Sequence, residues 1–278
     1  MFRLVAAFFR WVWRQWEITH EEALGQAAPP PTKKGAPPPK PKLDWRPLVI
    51  LLVVAVSLTM QEYWGERDQF LAWWPAPPDA YRWSGQSHHI LLSFCWWSGW
   101  RFFGYLVLPM TVIAFIPGER IRDYGLSTQG FSRHVWIYVA LYLAILPVVY
   151  WASHLGGFQR TYPFYKLAHR SSWEFLAWEG LYALQFLSLE FFFRGFMLHG
   201  LKRSIGAHAI WVMVVPYCMI HYGKPMLETL GAIVAGLILG TLALRTRSIW
   251  CGVLIHVSVA VTMDLLALTH CSSGIPCR

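Results

Sequence analysis

A chain of 278 residues that is 55% hydrophobic, 17% aromatic and only 14% charged is not an ordinary soluble domain, in which about a quarter of the residues carry charge. Several apolar runs are long enough to cross a bilayer, so the composition excludes a water-soluble enzyme and points to an all-α, polytopic membrane bundle. The formal charge of +9 gathers in the N-terminal tail and the loops, where it suits anionic lipid headgroups and topology, not nucleic acid.

In chain order, residues 1–24 read as an interfacial amphipathic helix. Phe2, Val5, Phe8, Phe9, Val12 and Trp16 alternate with Arg3, Arg10 and Arg14, a basic amphipathic mix that suits lying on a membrane surface. Residues 25–47 are rich in proline and lysine and read as an extended linker. Seven apolar segments follow, at about 48–63, 89–116, 135–153, 173–199, 207–222, 226–244 and 248–268. The first two form one region (48–118), and residues 119–270 form the core that carries the chemistry. A short tail, 271–278, holds Cys271 and Cys277, which could close a small disulfide loop in an oxidising compartment. Cys95, Cys218 and Cys251 lie in apolar segments and read as small core residues. Gly231, Gly236 and Gly240 in the sixth segment permit close helix contact.

Basic residues set the expected orientation. The N-terminal region and the loops 117–134, 200–206 and 245–248 hold most of them. All fall on one side if the N-terminus is cytoplasmic. Seven spans then put the C-terminus outside, in a cell membrane such as a bacterial inner membrane.

The ionisable residues within the spans are the candidate functional groups. An ionised side chain at the centre of a membrane helix costs about 2.5–3.5 kcal/mol on insertion scales, so such residues usually face a bundle interior or a wet cavity. Glu190 and Arg194 are four residues apart and share one helix face. Tyr217-xxx-His221 and His256 lie on the fifth and seventh segments. Glu228 follows Lys224 by four residues and can pair with it. Each histidine alone can simply bond a backbone carbonyl. Glu174 and Glu179, early in the fourth segment, read as solvated. Asp264 lies eight residues past His256, rotated off its face by about 80°. Together, one carboxylate, one arginine and two imidazoles on three spans can activate water in two ways. The carboxylate can act as general base while the histidines polarise a carbonyl. Alternatively His221 and His256 hold a divalent metal, zinc by ligand type, that acidifies bound water.

These residues resemble the CAAX protease and bacteriocin-processing family of intramembrane endopeptidases. Its signature is Glu-Glu-xxx-Arg, then Phe/Tyr-xxx-His, then His-xxx-Asn/Asp. Here the motifs read Leu189-Glu190-Phe191-Phe192-Phe193-Arg194-Gly195, Tyr217-Cys218-Met219-Ile220-His221 and His256-Val257-Ser258-Val259-Ala260. The lead-in Arg247-Ser248-Ile249-Trp250 and the loop Asp123-Tyr124-Gly125-Leu126 are also similar. The resemblance implies hydrolysis of a peptide bond in a membrane-anchored protein or peptide. Glu190, Arg194, His221 and His256 are then the catalytic candidates, with Glu228 in reserve. The stretch His221–Glu228, with Met263-Asp264, is similar to a myxosortase-like subgroup that processes C-terminal anchors of surface proteins. Two positions depart from the signature. The first glutamate is Leu189 and the final Asn/Asp is Ala260. They keep open an inactive relative that serves as a membrane scaffold or immunity protein. A proton-coupled transporter is a third reading, without an inverted repeat to support it.

Overall fold

The computed structural model describes Ala7, Arg10, Arg14 and residues 44–81, 88–129 and 131–272. The rest of the expected interfacial helix, the linker up to residue 43 and the Cys271–Cys277 pairing lie outside the described residues. The chain divides into two units, 1–48 and 49–278. In the first, the described residues Ala7, Arg10 and Arg14 are helical and exposed, and the unit closes with the opening turn of α1.

The described residues of the second unit are mostly helical. Helix α1 is Trp45–Tyr63, two to three residues longer at its start than its apolar run, and α2 is the short Arg67–Trp73. The next span starts as α3 (His89–Phe102), widens into a π-helical segment (Phe103–Val107) and ends as α4 (Leu108–Phe115). Helix α5 is Phe131–Ser153 and α6 is Gly156–Thr161. The central span begins as α7 (Ser172–Glu190), widens at Phe191–Met197 and finishes as α8 (Leu198–Ile205). Helices α9 (His208–Met219), α10 (Met226–Thr246) and α11 (Trp250–Ser272) complete it. Among the described residues there is no strand, only an isolated antiparallel bridge between Leu126 and Ser248.

Among the described residues, six helices are long and apolar enough to cross a membrane, not seven. The fifth expected span is α9, whose 12 residues reach about 18 Å at 1.5 Å per residue, well short of a bilayer core of about 30 Å. The α7–α8 span is the hub. Residues buried within the protein make up 72% of its apolar window, against 11–28% in the other spans. Its start is capped by Ser171, whose Oγ accepts from the Glu174 N–H. The three phenylalanines that follow Glu190 are fully buried among Ile50, Tyr105, Ile113, Met213 and Tyr217.

Both π segments leave a backbone carbonyl without its usual helical donor, and in each a side chain supplies one. Ser57 Oγ donates to Gly104 O at 2.7 Å and receives Gln61 Nε2 at 2.9 Å. His199 Nδ1–H donates to Arg194 O at 2.6 Å. The two wide segments face each other, with the Tyr105 ring 4.8 Å from Phe192. Gly236 and Gly240 bring α10 onto α9, since a methyl group at either would crowd Val214 or Met213 at 2.9 Å. Gly231 faces open space and plays no part in this contact.

Two expectations change. Glu174 is 1% exposed, not solvated, because Arg170 and His88 hold its carboxylate. Of the three expected core cysteines only Cys251 is buried; Cys218 is half-buried and Cys95 is exposed.

Candidate active site

Glu190 closes α7 and Arg194 lies one wide turn later. Residues four apart share one face of the span, so both side chains meet the same neighbours. Arg194 Nη1 lies 3.0 Å from Glu190 Oε1, and both residues are fully buried. The same oxygen lies 2.7 Å from His256 Nδ1 on α11, both contacts meeting it obliquely. Buried charges of this kind persist only in pairs, and here one carboxylate serves a guanidinium and an imidazole.

The close approach depends on Gly252, one turn before His256. A Cβ there would collide with Glu190 Oε2. The imidazole plane is fixed from the other side by Phe186, whose ring lies 13° from parallel at 5.3 Å. Phe186 continues a ladder of rings along α7: Trp178 on Tyr182 at 4.8 Å, then Tyr182 on Phe186 at 4.6 Å.

A carboxylate only accepts, so the His256 nitrogen facing Glu190 carries the proton and the neutral ring leaves Nε2 as an acceptor. The Tyr217 hydroxyl, 2.9 Å away, therefore donates to Nε2. Tyr217 is 1% exposed, and its ring lies under the Arg194 guanidinium at 3.9 Å. The spacing of the second motif gives Tyr217 no chemical part of its own, and only its bond to His256 shows that it ends the Arg194–Glu190–His256 chain. Gly252 and Phe186 were equally silent in sequence, although a glycine one turn before a motif histidine is a usable sign of close approach.

His221 sits in the turn after α9. Its Nδ1–H donates to Tyr217 O at 2.7 Å, the backbone-carbonyl bond expected of a lone histidine, and its ring meets the Tyr217 ring edge-on at 4.9 Å. Nε2 of His221 is then its accepting nitrogen. His221 thus joins the cluster through Tyr217. Glu228 is held elsewhere: Lys224 Nζ lies 2.7 Å from Oε1 and the Tyr162 hydroxyl donates to Oε2 at 2.7 Å. Asp264 is fully buried, with Oδ2 receiving Trp178 Nε1–H at 2.6 Å. Leu189 is 4% exposed and packs in the phenylalanine core, and Ala260 is 4% exposed beside Trp178 and Tyr182. Neither brings a polar group to the cluster.

The two loops that resemble the family's are joined. Ile249 N–H donates to Gly125 O at 2.9 Å and Trp250 Nε1–H to Leu126 O at 3.1 Å. The loop Asp123–Leu126 thereby anchors the start of α11, two to three residues before Gly252. The opposite face of the loop meets Gly195, where a Cβ would lie 2.8 Å from Tyr124 O.

No group of three or more His, Cys, Asp or Glu side chains among the described residues is arranged to hold a metal ion. Both ring nitrogens of His256 are engaged by protein groups, so a metal there would have to displace Glu190 or Tyr217. His221 Nε2 is the better ligand atom of the two histidines, but the residues as arranged do not form a metal cage.

Six helices among the described residues are long and apolar enough to span a bilayer, as in a multi-pass membrane protein, and the Glu190–His256 contact is buried among them. Residues 171–262, which contain all three motifs, match the family described as type II CAAX prenyl endopeptidase Rce1-like. The matched segment is about a third of the chain, and over it the chain is similar to that family. No curated protein and no solved structure matches the chain.

Proposed function

We propose that the protein is an intramembrane endopeptidase that hydrolyses a peptide bond in a membrane-anchored protein. The observation that supports this most directly is the contact of Glu190 with His256 Nδ1 at 2.7 Å, in the segment that matches an endopeptidase family. A buried carboxylate holding Nδ1–H keeps the imidazole in one tautomer and stabilises the imidazolium formed when Nε2 takes a proton. Glu190 and His256 together are the base, Arg194 locks Glu190, and His221 polarises the substrate or the attacking water. The side chain of His256 is 17% exposed against 1% for Glu190, so His256 is the member that substrate reaches. Water activation by this pair needs no metal. Glu228, paired with Lys224 and Tyr162, is not part of the base.

The substrate class is a protein with a C-terminal membrane anchor, processed near the bilayer interface by a myxosortase-like member of the family. The N-terminus is cytoplasmic and the membrane is the cell membrane, on the strength of the basic loops. The test is cleavage of a panel of membrane-anchored peptides by the purified chain in proteoliposomes, with and without chelator. Turnover that survives chelator and is lost in Glu190→Gln, His256→Ala and His221→Ala supports the reading. Normal turnover in all three variants overturns it.

A second reading has its own observation. Leu189 fills with hydrocarbon the position where the family signature has its first glutamate, and Ala260 does the same for the last motif. That favours an inactive scaffold. Absence of cleavage across the panel, with cellular function retained in the Glu190/His221/His256 triple variant, selects it.

A further inference from the structure

We propose that Asp264 is a positioning residue: through Trp178 it sets the register of α7 against α11 that brings Glu190 and Phe186 onto His256. The proposal rests on the hydrolase reading above and adds to it a residue outside the three motifs.

Four regularly spaced contacts among the described residues join the two helices. Asp264 Oδ2 receives Trp178 Nε1–H at 2.6 Å. Ala260 packs in one buried cluster with Tyr182. The His256 ring stacks on Phe186 at 5.3 Å, and Gly252 meets the Glu190 carboxylate. Trp178, Tyr182, Phe186 and Glu190 advance by four along α7, while Asp264, Ala260, His256 and Gly252 step back by four along α11. Residues four apart share one helix face, so one stripe of α7 lies antiparallel on one stripe of α11.

The inner contacts do not fix this register by themselves. Trp178, Tyr182 and Phe186 are rings in succession. A slip of one helical turn, about 6 Å, would set one ring where another had been, and His256 could still find a ring to lie on. The outer contacts are not interchangeable. A slip in one direction sets Asp264 against Glu174, a second buried carboxylate. A slip in the other sets it against Tyr182 and moves Gly252 from Glu190 to Arg194. Only the observed register gives Asp264 the Trp178 donor and Glu190 the gap at Gly252 together.

Asp264 does little for stability to justify its place. It is fully buried, and only Oδ2 has a bond, Oδ1 having no partner among the described residues. Desolvation of such a group offsets what one indole N–H returns. Fixing register is the best-attested use of a buried polar group in an apolar seam. Here the register matters because the same stripe carries the Glu190–His256 contact at 2.7 Å.

The test compares Asp264→Leu, Asp264→Asn and the pair Trp178→Phe/Asp264→Leu. Asn keeps an oxygen for the Trp178 N–H and Leu does not. The pair removes both partners, so no buried donor or acceptor is orphaned. With the fastest-cleaved anchored peptide in proteoliposomes, Asp264→Leu is expected to lower kcat about 100-fold at unchanged KM, the effect of a displacement of about 1 Å at a catalytic group. Asp264→Asn is expected to return kcat to within about threefold of wild type. The pair is expected to regain the wild-type unfolding temperature and keep the low kcat, a split that lost stability alone does not produce. If Asp264→Leu does not fold, the pair carries the same test. A second readout needs no turnover. In 15N spectra of histidine-labelled protein in nanodiscs, the His256 ring nitrogens should shift in both Leu-bearing variants and stay in place in Asp264→Asn.

The positioning role is overturned if kcat in Asp264→Leu stays within about twofold of wild type, or if the pair recovers kcat together with stability. It is equally overturned if Asp264→Asn is as impaired as Asp264→Leu, or if the His256 nitrogens do not move in the Leu-bearing variants. Loss of activity in His256→Ala with full activity in Asp264→Leu rejects the positioning role and leaves the base intact. Full activity in both rejects the base as well. If the wild type cleaves no peptide, the hydrolase reading falls and the 15N spectra alone decide whether Asp264 places His256.

Discussion

Gly252 lies directly against the carboxylate of Glu190, so that a single added methyl group would overlap Oε2. Two helices that are far apart in sequence meet there without a side chain between them. Gly252→Ala ought to raise helix propensity by about 1 kcal/mol, yet the collision must push Glu190 off His256. The expected result is cleavage reduced by at least about tenfold in a protein that still inserts and purifies. Initial-rate measurements beside a thermal melt check it, and wild-type activity in this variant would mean the carboxylate has room to spare.

The Glu190–Arg194 pair is wholly buried. Removing one partner leaves an uncompensated charge in the bundle, which costs about 3–5 kcal/mol, whereas removing both can be nearly neutral. Arg194→Met should therefore lower the unfolding temperature sharply, and Glu190→Gln/Arg194→Met should recover most of the loss without recovering cleavage. Additive losses in the double variant would refute the coupling.

Glu228 offers the opposite expectation. Its partners Lys224 and Tyr162 hold it away from the base, and a partly exposed pair is worth about 0–1 kcal/mol. Glu228→Gln should keep cleavage within about fivefold, that being the rate equivalent of 1 kcal/mol. A complete loss would make Glu228 the working carboxylate.

Trp178 and Asp264 form a polar contact at the other end of the ring ladder. Trp178→Phe removes the donor from a fully buried carboxylate oxygen, at a cost of about 1–3 kcal/mol. Denaturant or thermal unfolding of Trp178→Phe and of the pair Trp178→Phe/Asp264→Leu should show the second substitution restoring stability. No loss in the single variant would show that the oxygen finds another donor.

Much of the site could be read from residue types and spacing. Glu190, Arg194 and His256 are expensive in hydrocarbon, and that expense makes them stand out and predicts that they meet. The contact of Glu190 with Gly252 could not be read, because a glycine among apolar residues carries no signal of what approaches it. Tyr217 was visible only as part of a motif; that its hydroxyl meets His256 depends on the fold and not on the spacing. Glu174 was misjudged because its partners differ in distance along the chain: Arg170 is four residues away, but His88 is on another helix. The fifth expected span failed for a simpler reason. Residues 207–222 are apolar throughout, but the helix stops at Met219, since hydropathy marks what can be buried and not where a helix turns.

The wide turn at Phe191–Met197 has a consequence for tolerance to insertion and deletion. Such a turn accommodates one residue more than the α-helical turn it replaces, so this stretch can lose a single residue by tightening instead of by unravelling. Shortening it by one phenylalanine would leave α7 and α8 each intact and set Arg194 three residues from Glu190, where the two still meet but in a different geometry. A deletion there would reset this ion pair and spare the architecture around it.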